Sequence, residues 1–174
     1  MSLLKYFSKA GVFCILLSSA SAMAFESQIT VNAEIDPDYG MLTAEGTPLP
    51  QSIDMIYFPG VGLKTWEHDV TFYTNVAQTN MLVSLKDDAV ITDPSSLNSI
   101  NLNVSVNGQT ITKSGTSFDW AKVFPKGIGR GATLPMTISQ DTAKSPVSNI
   151  KSAGKYSGTV TLVITKGTSA STPT

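Results

Sequence analysis

Between Gln28 and Ile35 the chain alternates with a strict period of two. Ile29, Val31, Ala33 and Ile35 fall on one face of an extended strand, and Gln28, Thr30, Asn32 and Glu34 on the other. A strand with one apolar face must bury it at a sheet edge or in a groove, and the neighbouring sequence supplies neither. Asp36-Pro37-Asp38-Tyr39-Gly40 follows at once, which is turn and breaker chemistry, so no hairpin partner is expected to fold straight back. Residues 25–37 are therefore expected to be free to leave their own domain.

The segment is also expected to open the mature chain. Lys5 and Lys9 precede an apolar run at residues 10–17, and small residues follow up to Ala22-Met23-Ala24. That is the pattern of a secretory signal peptide over residues 1–24, cleaved after Ala24 to leave Phe25 as the N-terminus. The run is far shorter than the roughly 20 residues a membrane span needs. The only cysteine, Cys14, follows Phe13 rather than the small residue a lipidation site requires, and it leaves with the signal. Its departure removes disulfides, thiolate metal sites and a cysteine nucleophile together, so stability must come from packing or assembly. Of the 12 basic residues two leave as well, so 10 remain against 13 acidic ones, a formal charge of −3 that does not recruit nucleic acid.

The remaining 150 residues, one domain's length, carry no useful helical periodicity and are rich in Thr, Ser, Val and Ile. Strands are expected at residues 52–58, 69–76 (Val70, Phe72 and Val76 on one face), 81–86, 101–106 (Leu102, Val104 and Val106 inward), 132–139 (Leu134, Met136 and Ile138) and 156–165. Asn107-Gly108 between alternating runs predicts a two-residue type I′ hairpin. Residues 118–124 suggest one short helical turn, and the low-complexity residues 167–174 a disordered tail. About seven short strands separated by turn signals predict an all-β, immunoglobulin-like β-sandwich, although pattern alone does not separate this from a jelly roll.

Little in the chain suggests catalysis. His68, the sole histidine, lies between Glu67 and Asp69 and reads as a solvated strand-edge residue. Gly127-Ile128-Gly129-Arg130-Gly131 lacks the βαβ surroundings of a dinucleotide loop and reads as a mobile turn. Asp36 with Asp38, and Asp87-Asp88 with Asp93, match no known cation loop and read as solvated acids. There is no G-x-S-x-G elbow. Trp66 and Trp120 suit core or rim packing better than a sugar platform. No enzyme activity and no cofactor is expected.

Two ends of the chain carry a family resemblance. Ile29-Thr30-Val31-Asn32-Ala33-Glu34-Ile35-Asp36-Pro37 just after a signal peptide, the Leu49-Pro50 that follows, and the closing Ala153-Gly154-Lys155-Tyr156-Ser157-Gly158-Thr159-Val160-Thr161-Leu162-Val163-Ile164-Thr165 resemble the major subunits of CS1/CFA/I-type fimbriae, the class 5 or alpha chaperone-usher pili. The resemblance covers nearly the whole mature chain, with its specific parts at the ends; residues 64–132 match in length and strand pattern more than in residues.

The resemblance implies an incomplete immunoglobulin-like sandwich at residues 38–166, completed by a donor strand from a neighbouring subunit. A periplasmic chaperone would fill the open groove first, and at an outer-membrane usher the N-terminal strand of the next identical subunit would replace it. Carried onto this chain, residues 25–37 form the donor strand, with Ile29, Val31, Ala33 and Ile35 entering the neighbour's groove, while Val160, Leu162 and Ile164 line the acceptor side. The product would be a cell-surface homopolymer carrying a minor tip adhesin, with a host-cell receptor as a further partner. The alternatives are a secreted carbohydrate-binding β-sandwich that folds alone with residues 25–35 paired internally, and a minor or tip fimbrial subunit. A tip adhesin would need a second domain, for which 150 residues leave no room.

Overall fold

A computed structural model describes residues 27–35, 38–150 and 153–169, with side chains over 38–150 and 153–168. The expected signal peptide, Phe25, the Asp36-Pro37 breaker and residues 170–174 lie outside the described residues.

In chain order the strands are β1 (Ser27–Ile35), β2 (Tyr39–Thr43), β3 (Ile53–Met55), β4 (Tyr57–Phe58), β5 (Gly62–Leu63), β6 (Trp66–Thr74) and β7 (Thr79–Leu85). They continue with β8 (Val90–Thr92), β9 (Ser99–Val106), β10 (Gln109–Thr110), β11 (Thr116–Phe118), β12 (Gly129–Gln140) and β13 (Tyr156–Ser169). A single helical turn, α1 (Trp120–Val123), lies between β11 and β12, and the Asp119 side chain caps it by accepting from the Ala121 amide.

These strands form two layers. One contains β2, β6, β12 and β9 in that order, and the other contains β11, β7 and β13, with β8 joining β13 to β9. Between the layers lies one apolar cluster in which Val70, Phe72, Met136, Ile138, Leu162 and Ile164 are fully buried. The expected alternation holds at Leu102, Val104 and Val106 and at Leu134, Met136 and Ile138, all of which face this core. Asn107 and Gly108 both take positive φ, 50° and 73°, and Val106 pairs with Gln109, so the predicted hairpin forms at the predicted residues.

Several boundaries differ from expectation, three of them instructively. Residues 52–58 divide into β3 and β4 because Ile56 accepts from the Lys64 amide and begins a small hairpin with β5. The strand expected over 69–76 begins earlier, at Trp66, as β6, and Val76 lies half-buried beyond its end. The closing strand runs past Lys166 into the expected tail, where Ser169 pairs with Thr79 after a bulge. Four strands, β2, β5, β8 and β11, were not expected at all.

Candidate strand-addition groove

β13 is the strand on which the candidate site is built. Its later half pairs antiparallel with β7, from Leu162↔Leu85 to Lys166↔Met81, while Ser157 near its start pairs with Thr92 of β8. Gly158 sits at the crossover between these neighbours. A Cβ there would strike the Val90 carbonyl oxygen, so only glycine lets the two backbones approach.

β1 occupies the other edge of β13. It runs parallel, in unbroken register from Ser27↔Tyr156 to Ile35↔Ile164, and its first three residues also pair antiparallel with β3, from Ser27↔Met55 to Ile29↔Ile53. The groove therefore has two walls, β13 and β3. The expected donor residues Ile29, Val31, Ala33 and Ile35 stand at the register positions of Gly158, Val160, Leu162 and Ile164. Val160, Leu162 and Ile164, expected to line the groove, are at most 1% exposed and belong to the central cluster. In this structure the slot is filled by the chain's own N-terminal strand, whereas the sequence reading expected a strand free to leave; pairing between two strands so distant in sequence leaves no local signal.

Ile53 and Met55, 5% and 2% exposed, form the second wall and escaped the sequence reading as groove residues. Their alternation around exposed Asp54 was the available signal. Among described strands β3 pairs only with β1, so it depends on whichever strand fills the slot.

At the end of the groove nearest Met55, Tyr156 is buried, and its hydroxyl is held above the usual phenol range by burial and by the nearby Asp93 carboxylate. Asp93 is itself buried and accepts from the Ser96 hydroxyl at 2.6 Å, the Ser95 hydroxyl at 2.8 Å and the Ser95 amide at 3.1 Å. These bonds, led by that from Ser96, hold its carboxyl below the usual range. Asp93 is thus a loop anchor, and no cluster of metal-ligating side chains occurs among the described residues. At the opposite end Lys166 and Asp38 form a 2.7 Å ion pair between β13 and the residue just before β2.

The other candidate side chains serve packing. Trp66 stacks on His68 with ring centroids 5.7 Å apart, and His68 lies 3.9 Å from Glu45. Trp120 packs against Phe124 at 4.8 Å, and its amide donates to Asn80. Gly127 takes positive φ in the turn that leads into β12, and Gly129, the first residue of that strand, does so too, so residues 129–131, expected to belong to a mobile turn, begin β12 instead.

The model of the CS1 type fimbrial major subunit matches residues 25–165, beginning at the residue after the expected signal cleavage. This chain belongs to that family. It is 32% identical over 156 residues to a CFA/I fimbrial subunit of Escherichia coli, covering 86% of this chain and 89% of that protein. To a CS1 fimbrial subunit of Escherichia coli it is 26% identical over 163 residues, covering 88% and 92% of the two. Among solved structures it resembles the CooA pilin subunit from enterotoxigenic Escherichia coli, with a TM-score of 0.67 at 22% identity over 78% of this chain and 91% of that one. That likeness supports the all-β sandwich. Family and relatives are structural fimbrial subunits of the cell surface and not enzymes.

Proposed function

We propose that this CS1-type fimbrial subunit is the major pilin of an adhesive fimbria and polymerises by exchanging β1 between copies. The observation that carries the proposal is the groove itself. β1 is terminal among the described strands, is joined to the body only through residues 36–37, and pairs with two strands that both belong to the body. It can therefore be replaced by another copy's β1 without breaking any other pairing. A donor strand seated by three β-branched side chains and one alanine would contribute about 5 to 9 kcal/mol at roughly 1.5 to 3 kcal/mol per large side chain. That is comparable with the whole stability of a typical domain, about 5 to 15 kcal/mol. An empty slot is too costly to persist, and an exchanged strand is correspondingly firm.

The chain's own strand is the first competitor for the slot, because its tether keeps it close. A periplasmic chaperone that lays a strand of its own along β13 would keep the slot from closing on itself, and an outer-membrane usher would then present the next subunit. Each link joins a donor strand to a different surface, the groove, so repetition gives an open filament at the cell surface rather than a closed ring. A minor tip adhesin and a host-cell receptor complete the expected partners.

The test is a subunit lacking residues 25–36, expressed with its cognate chaperone. It should be recovered only as a chaperone complex, fail to form SDS-resistant ladders, and accept a synthetic peptide of sequence FESQITVNAEIDP. The intact chain should form ladders in the same assay. An intact chain that remains monomeric with its chaperone and usher present would overturn the proposal.

A further inference from the structure

The Ile35 end of β1 lies at one pole of the sandwich, where several other strands also begin or end. Ile35 stands at Ile164, and two residues further on Lys166 pairs with Met81 and forms its ion pair with Asp38. Tyr39 shares a register row with Thr74 and Gly129, and Phe118 one with Met81, so β2, β6, β12 and β11 all have ends there. Ile128, in the turn before Gly129, is 62% exposed. The other large exposed apolar side chains among the described residues, Ile56, Phe58, Val61 and Leu97, lie toward the Ser27 end, beyond Met55 and Thr92. Charge at the Ile128 pole is of both signs: Asp38 is paired with Lys166, and exposed Asp119 stands with exposed Lys122 and Lys126.

A two-residue link fixes where an exchanging neighbour stands. Ile35 and Asp38 are three Cα steps apart, so at roughly 3.6 Å per step they are at most about 11 Å from each other. With β1 in another copy's groove in the described register, the donor's Asp38 is held beside the acceptor's Ile164, and the donor's pole faces the same pole of the acceptor. The acceptor's own β1 departs from that pole too. The nearest vacant groove is then the donor's, which opens onto the contact, and the tether keeps the strand there at high effective concentration. A second insertion completes a two-fold arrangement in which each pole meets its own image. The linking sequence favours this outcome. A residue before proline is driven towards extended backbone, so Asp36-Pro37 favours a straight link over a tight reversal, and short hinges invite exchange.

Resting on the strand-exchange reading, we infer that chaperone-free copies of this chain close in reciprocal pairs, docking pole to pole through the Ile128 turn. The pair keeps every β1 pairing of the single subunit, now in the partner's groove, and adds the contact between the poles. It leaves neither a vacant groove nor a free strand, so it cannot grow. At the usher the donor's groove is already filled, so one strand passes at each meeting and the filament extends. The chaperone thus guards against pairing as well as against self-filling.

The chain has no cysteine after Cys14, so paired cysteines report which copy fills a groove. The mature chain carrying Val31→Cys and Val160→Cys is refolded concentrated, without chaperone or usher, then oxidised, boiled in detergent without reductant and run on a gel. A covalent band of two copies is expected, with nothing above it, and it gives way to monomer when the chain is refolded dilute. Light scattering on the unaltered concentrated chain should give the mass of two copies, which covers a groove disturbed by the cysteines. Ile128→Asp should raise the dissociation constant of the pair by about tenfold or more and leave the unfolding midpoint of the monomer unchanged. An unchanged dissociation constant would overturn the pole contact. A ladder, or monomer alone at every concentration, in both the cysteine variant and the unaltered chain would overturn pairwise closure. Failure of strand exchange itself shows separately, as loss of SDS-resistant ladders when chaperone and usher are present.

Discussion

Val31 stands opposite Val160 at the centre of the β1–β13 pairing, four register positions from Ser27↔Tyr156 and four from Ile35↔Ile164. Val31→Asp sets a carboxylate at this register position against a wall that is fully buried, a cost of several kcal/mol unless the group is neutralised. Surface fibres should disappear while the chaperone complex survives, because the chaperone supplies a strand of its own. Co-purification with the chaperone, beside fibre yield, measures both.

Leu162→Asp should behave differently. Leu162 is fully buried in the body of the domain, so the charge damages the surface that both chaperone and neighbour recognise. Chaperone complex and fibre should both be lost, and equal behaviour of the two variants at the chaperone step would contradict the division into donor strand and acceptor body.

Gly158→Val tests the crossover between β8 and β7. The added side chain meets the Val90 carbonyl and must displace one backbone or the other, an overpacking cost of about 1 to 3 kcal/mol. Denaturant unfolding of the chaperone-free subunit should show that loss as a lower midpoint with an unchanged slope.

Acid should loosen the end of the groove nearest Met55. The folded carboxyl of Asp93 is held below its unfolded value, so its contribution is present above the unfolded pKa, near pH 4, and is lost as pH falls through the folded one. Asp93→Asn should lower stability at neutral pH and flatten the acid limb of the stability profile, as followed by thermal unfolding between about pH 2 and 7.

The closing strand shows both the reach and the limit of reading this sequence. Its alternation at Val160, Leu162 and Ile164 announced a core strand, and Asn107-Gly108 announced its hairpin, because both signals are local. Polar residues 167–169 looked like a tail, yet their backbone continues the ladder to Thr79, which needs no apolar side chain. Truncation after Ser169 should leave stability and assembly unchanged, and truncation after Lys166 should cost about 0.5 to 1.5 kcal/mol per lost ladder hydrogen bond. β2 went unseen because Tyr39 and Gly40 read as the end of a breaker, although Tyr39, Met41 and Thr43 alternate inward. Gly40 is tolerated there because a Cβ would make only ordinary contact with Tyr73 at 3.7 Å. The parallel pairing of β1 with β13 was beyond sequence reading for a different reason: nothing in either strand names the other, and the same apolar face suits any groove of matching length.

Whether the slot is filled from within the chain or by a neighbour is read most directly by a disulfide at its centre. Directly opposed strand residues fall within disulfide range, so Val31→Cys with Val160→Cys should oxidise across the groove. Dilute subunit freed from its chaperone should give an intrachain bridge and a single monomer band. Fibres of the same variant, oxidised and boiled without reductant, should give a covalent ladder, since each Val31 position then faces the Val160 position of another copy. Fibres that yield only bridged monomers would contradict strand exchange.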